Sequence, residues 1–229
     1  MKTSHGKTPK YYWLAIVAAS WGTAWSLSWI LPIIPRLEEP LLLIALSGFL
    51  GGIIAGYGQS ASVPTNTVWV IVAPLVWTIA WPILNFGTAW SLLIMTPGIQ
   101  GFDIDYLTDL AFGGCLSVIP AIVAGTIVAL PQSILLQQVD TTRTRRARYM
   151  RTAVTMGKIA VSWVIAAFVA TATGLVTQYT YPFRSYTTVL DAMLWSIPGG
   201  ITGGLVFAWL SHGTVEWVLD VPSPKHKSN

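Results

Sequence analysis

The sequence predicts an all-α integral membrane protein. It reads as six transmembrane helices, built as three parallel two-helix repeats around an approximate threefold axis along the membrane normal. Three observations lead there. The 229 residues are 53% hydrophobic and only 10% charged, with a mean hydropathy of +0.60. Soluble domains carry about 25% charged residues, and no soluble core absorbs this much apolar sequence. Six apolar stretches are long enough to cross a bilayer. The stretch "GFLGGIIAGYGQSASV" at 48–63 recurs in altered form two more times.

The spans fall at roughly 11–32, 41–63, 67–95, 107–136, 153–177 and 187–210. The breaks between them, such as "PRLEEP", "PTNT" and "YPFRSY", hold Pro, Gly or charge clusters. The first span follows a basic start and contains "VAAS", which resembles a cleavable signal. Its apolar run continues to Ile34 and its Trp spacing recurs in the third span, so it is read as a retained helix. One domain is expected over 1–229, with repeats at about 11–63, 67–136 and 153–215. A basic loop at 138–152 and a tail at 216–229 complete it.

Charge sets the orientation. Of the 13 basic residues, all but Arg36 and Arg184 fall before span one, around the loop between spans four and five, or in the tail. Cytoplasmic segments collect Lys and Arg, so both termini are expected in the cytoplasm. The membrane is then a plasma or inner membrane. The pI near 9.3 follows from this asymmetry, and no nucleic-acid partner is expected. Arg143, Arg145, Arg146, Arg148 and Arg151 suit anionic lipid, at about 1 kcal/mol per basic residue near the surface.

The repeat has two parts. Gly48, Gly51, Gly52, Gly56 and Gln59 share their spacing with Ala121, Ala124, Gly125, Ala129 and Gln132, and with Gly200, Gly203, Gly204, Ala208 and Ser211. Trp13, Trp21 and Trp25 share theirs with Trp69, Trp77 and Trp81, and Trp163 keeps the middle position in span five. Gly48, Gly52, Gly56 and Gln59 lie within about 80° of one helical face. Small residues let helix backbones approach closely in lipid, and a buried amide adds about 0.6–2 kcal/mol across helices. Helix packing is therefore assigned to Gly48, Gly52, Gly56, Gly125, Ala129, Gly200, Gly204 and Ala208. The small-residue faces are expected to converge on the axis, with the Trp helices outside or at the seams.

Gln59, Gln132, Ser211 and His212 define a candidate polar ring near the cytoplasmic end. It reads either as a constriction for a solute or as interhelical hydrogen bonding. A single imidazole is thin support for ligating a pigment metal. Trp13, Trp29, Trp69 and Trp90 suit the interfacial belt. Trp21, Trp25, Trp77, Trp81 and Trp163 lie deeper, either packing helices or stacking a ligand. Asp191 is an acidic residue in a span and so a candidate by default, and Asn85 is the deeper polar residue. Asp103, Asp105 and Asp109 read as a solvated acidic loop. The lone Cys115 offers neither disulfide nor metal cluster. No zinc pair, nucleophile elbow, Walker loop or dinucleotide fingerprint is present, so no enzyme and no metal are expected, and any cofactor is left open.

The Gly-x-x-x-Gly-x-x-Gln segment after a Trp-rich helix is carried by Gly52, Gly56 and Gln59, then by Gly125, Ala129 and Gln132. It resembles a repeat of uncharacterised polytopic membrane proteins of cyanobacteria and Chloroflexi-like bacteria. The third copy departs, with Ala208 and Ser211. The resemblance implies a photosynthetic-bacterial source, with a thylakoid or chlorosome-bearing membrane, and no assigned activity.

The leading expectation is a non-enzymatic accessory or assembly subunit of a membrane complex, in a photosynthetic membrane if the resemblance holds. Its partners would be membrane lipids and other membrane-protein subunits. The alternatives are a small-solute transporter or channel using the polar ring, and a lipid- or pigment-binding protein using the deep Trp residues.

Overall fold

A computed structural model of the chain describes residues 10–33, 39–62, 67–99, 115, 117–137, 145–180 and 188–219. Six long α-helices make up nearly all of it: α1 Lys10–Ile30, α2 Pro40–Ser62, α3 Thr67–Ile99, α4 Val118–Gln137, α5 Arg145–Thr180 and α6 Val189–Leu219. A 3-10 turn, Leu31–Ile33, ends α1. Among the described residues there is no strand.

Local chemistry explains the helix ends. Pro40 opens α2 where its missing N–H is an orphan in any case, and the Leu43 amide donates to the Glu39 carbonyl at 3.1 Å. Thr188 starts α6. Its hydroxyl accepts from the Asp191 amide at 3.2 Å and donates to Asp191 Oδ2 at 2.7 Å. That reciprocal pair is a capping arrangement. It accounts for Asp191, the acid the sequence offered as a functional candidate.

Five helices, α2 to α6, are long and apolar enough to cross a membrane. The chain is a helical membrane protein by that measure. The helix α1 is 21 residues long, but four Trp, three Ser and two Tyr dilute its apolarity. The perimeter is apolar as well: Leu41, Leu75, Ile79, Ile119, Val161 and Leu205 are all exposed. Helices that are apolar on every face belong in lipid.

Each helix packs against its neighbours in sequence, and α6 closes back onto α1. The result is a closed ring in chain order. The layering is the reverse of the expected one. Trp21 and Trp25 of α1, Trp77 and Trp81 of α3, and Trp163 of α5 meet one another inside the ring and are 0–1% exposed. The glycine faces turn onto the backbones of the Trp helices. A Cβ at Gly48 would lie 2.5 Å from the Trp77 carbonyl oxygen, and one at Gly52 would lie 2.6 Å from Pro74 Cα. At Gly204 it would lie 2.6 Å from the Ala18 carbonyl oxygen. The physical reason is volume. Indole rings need the space that only the ring's interior offers, and glycine draws the small-residue helices close enough to seal it.

The helix α5 also differs from expectation. The sequence puts a basic loop at 138–152, but residues 145–152 are helical. Arg, Ala and Met are good helix formers, and the helix runs through the charge cluster. Likewise α6 reaches Leu219, taking in the start of the expected tail.

Candidate functional site

The interior is built from tryptophan pairs. Trp21 and Trp25 sit four residues apart on α1, one above the other, and stack at 5.5 Å and 13°. Trp77 and Trp81 do the same on α3, at 5.4 Å and 4°. Trp163 from α5 presents its ring at a steep angle to Trp21, Trp77 and Trp81, at 5.8, 5.5 and 5.5 Å. Trp21 meets Trp81 edge-on at 5.1 Å, and Phe207 of α6 covers Trp163 at 5.7 Å. Each such pair contributes about 0.5–1.5 kcal/mol beyond its area. The five residues singled out for ligand stacking thus have their faces occupied by one another.

Trp81 of this cluster, and Trp69 nearer the basic end, have conventional partners. Trp81 Nε1 donates to the Ala24 carbonyl at 3.0 Å, and Trp69 Nε1 donates to Gln59 Oε1 at 2.5 Å. The buried N–H groups of Trp21, Trp77 and Trp163 have no hydrogen-bond partner among the described residues. Their edge-to-face neighbours provide π density, a weaker acceptor. A second aromatic group extends toward the opposite end. Trp25 stacks on Trp195 at 6.0 Å, and Trp29 meets Trp195 edge-on at 4.3 Å.

An amide pair lies at the basic end of the core. Gln132 Nε2 of α4 donates to Gln59 Oε1 of α2 at 3.1 Å. Trp69, at the start of α3, donates to the same oxygen. Both glutamines are buried. One carbonyl therefore ties three helices together. Of the four residues in the expected ring, Gln59 and Gln132 come together. Ser211 instead donates to the Ala208 carbonyl of its own helix at 3.2 Å. His212 is buried and has a partner of its own within the protein. Trp13 and Trp69, expected in the interfacial belt, are buried, at 4% and 1% exposed. Trp69 is a hydrogen-bonding member of the core, a role its belt-like position near a span end concealed.

Sequence reasoning missed a link at the other end. The Ser28 hydroxyl shares its one proton between Asn85 Oδ1 at 3.0 Å and the Trp25 carbonyl at 2.7 Å, while Asn85 Nδ2 donates to the Trp81 carbonyl at 3.0 Å. Asn85 was visible as a deep polar residue in its span, one turn after Trp81, but nothing in the sequence names Ser28 as its partner.

Of the small residues assigned to packing, Gly56 abuts Val70, Gly125 abuts Ala160 and Trp163, and Gly200 abuts Gly22. Ala129 and Ala208 are fully buried. A groove of about 450 Å³ opens on the perimeter between α1 and α6, lined in part by Ala18, Gly22, Ser26 and Leu205. Of the arginines, Arg145, Arg146, Arg148 and Arg151 lie on the first turns of α5, and Arg146 is exposed. Arg143, Asp103, Asp105 and Asp109 lie outside the described residues. Among the described residues no group of three or more His, Cys, Asp or Glu could hold a metal ion.

These features define a class: a helical membrane protein with an aromatic interior. Compared with known proteins, the sequence matches no family model and no curated protein, and the fold matches no solved structure.

Proposed function

We propose that the chain is a non-enzymatic accessory or assembly subunit that works through its lipid-facing perimeter. The observation that carries this reading is the filled interior. Three Trp helices meet with rings 0–1% exposed, which argues against a route for solute along the axis. The perimeter groove is a separate feature. It is a lipid-facing hollow beside the α1–α6 contact, where Ala18 and Gly22 already meet Gly204 and Gly200 and Ile201 and Leu205 line the α6 side.

The reading includes the threefold repeat with α1 as a sixth span. Gly52 abuts Pro74, Gly125 abuts Ala160 and Gly204 abuts Ala18. Each of those three partners lies three residues before Trp77, Trp163 or Trp21. The charge asymmetry supports cytoplasmic termini. A photosynthetic membrane follows from the sequence resemblance alone.

A transporter is the second reading, favoured by the Gln59–Gln132 contact, since a paired amide is a feasible gate. Ligand or pigment binding by the deep Trp residues is less favoured, because they already stack on one another. Mild-detergent extraction of tagged protein from native membranes tests the choice. Co-migration with a defined set of other subunits is the expected result. A small particle containing this chain alone would overturn the subunit reading.

A further inference from the structure

We infer that the hollow between α1 and α6 binds a quinone-class lipid, whose ring carbonyls accept from the hydroxyls of Thr23 and Ser26. The inference needs the membrane setting and is independent of the subunit reading. It is also distinct from stacking on the deep Trp residues, which face the interior of the ring.

The hollow has a volume of about 450 Å³, and Thr23 and Ser26 both line it. A hydroxyl on a helix commonly closes onto a carbonyl one turn back. Ser20 does so on Val17, and Ser28 on Trp25, in this same helix. Thr23 and Ser26 are half-buried, and neither has a hydrogen-bond partner among the described residues. In hydrocarbon such a donor is costly until an acceptor meets it.

The outward face of α1 also differs from the rest of the perimeter. The other five helices expose Leu, Ile or Val along their length. On α1 the exposed large apolar side chains are Tyr11 and Tyr12, both at its basic end. Further along, Ala19 and Gly22 floor the hollow, while Ile201 and Leu205 of α6 wall it. A flat ring can lie against a floor without large side chains.

Charge, depth and spacing narrow the ligand. None of the lining residues is charged, so a phosphate or a cationic headgroup would find no counter-charge. Ser26 lies about 6 Å before Ile30 along α1, and the 3-10 turn to Ile33 adds about 6 Å more. The ester carbonyls of a glycerophospholipid sit at the edge of the hydrocarbon, about 12 Å from that hydroxyl by the same count. A quinone ring instead carries its acceptors on an uncharged head that enters hydrocarbon. Thr23 and Ser26 are three residues apart, so their Cβ atoms stand about 5–6 Å from each other. That is comparable with the separation of the two carbonyl oxygens across a quinone ring, and one ring can take both donors.

The test reconstitutes the full chain in phosphatidylcholine vesicles containing ubiquinone. The protein is then purified in mild detergent and its retained quinone is measured by absorbance after extraction. Wild type should retain stoichiometric quinone, with the infrared carbonyl band shifted down from its position in protein-free vesicles. The Thr23→Val, Ser26→Ala double variant removes both donors and should lower retention about tenfold, from a few-fold for each lost bond. Ala19→Phe fills the hollow from its exposed side, away from the contacts of Ala18 and Gly22 with α6, and should abolish retention. Unchanged tryptophan emission establishes that each variant is folded. Wild type that retains no more quinone than an unrelated membrane protein treated in the same way would overturn the site. So would retention unchanged in both variants. Loss in Ala19→Phe, with the carbonyl band unshifted and the double variant unaffected, would overturn the hydroxyl assignment and leave a cleft for any acyl chain.

Discussion

Gly52 and Gly157 show how one residue type does opposite things in this fold. A Cβ at Gly52 would sit 2.6 Å from Pro74 Cα and 2.8 Å from the Ala73 carbonyl oxygen, both backbone atoms that cannot swing away. Gly52→Ala should therefore push α2 off α3 and lower stability by about 1–3 kcal/mol. At Gly157 there is nothing to meet, and alanine should raise stability by up to about 1 kcal/mol through helix propensity. Thermal unfolding of the two variants in one detergent decides it. If Gly52→Ala melts no earlier than Gly157→Ala, close backbone approach is not what the glycine face provides. The amide pair makes a second prediction. Gln59→Leu strands two buried donors, Trp69 Nε1 and Gln132 Nε2, whereas Gln132→Leu leaves the Trp69 bond intact. Gln59→Leu should cost more by about 1–2 kcal/mol. Equal losses would mean that the shared oxygen is not the hub. The glutamines were legible from their repeated spacing. Their indole partner was not, because nothing in the spacing of Trp69 separates an interfacial ring from a buried donor. The Ser28–Asn85 bond was illegible for a related reason. A serine in a span satisfies itself on its own helix, as Ser28 also does on Trp25, so its sequence position points to no distant partner.

Among the helices, existence was easier to read than extent. The apolar runs placed all six, yet α5 starts at Arg145, well before the apolar run begins. Hydropathy marks where lipid is tolerated, and helix propensity carries α5 beyond that limit. Asp191 is the reverse case. Its place in a span made it a candidate by default, and the local pattern Thr188-x-x-Asp191 makes it half of a cap. Thr188→Ala should cost about 0.5–2 kcal/mol and fray the start of α6, seen as faster amide exchange confined to its first turn. Exchange unchanged in that turn would leave the cap without a role.

For the whole molecule, the all-helical, membrane-spanning character was legible and the layering was not. Both helix types are apolar, so polarity gives no clue to which one faces inward. Volume decides it. Trp21, Trp77 and Trp163 occupy the interior at 0–1% exposure, and the glycine faces close the ring around them. The central claim is that this interior, as the described residues form it, is a packed aromatic core and not a solute route. The most direct measurement is solute and ion flux through vesicles reconstituted with the purified wild-type chain. The account predicts flux no greater than that of protein-free vesicles, whichever solute is tried. Sustained, saturable flux that disappears in a Gln59→Leu, Gln132→Leu double variant would contradict it and make the amide pair a gate.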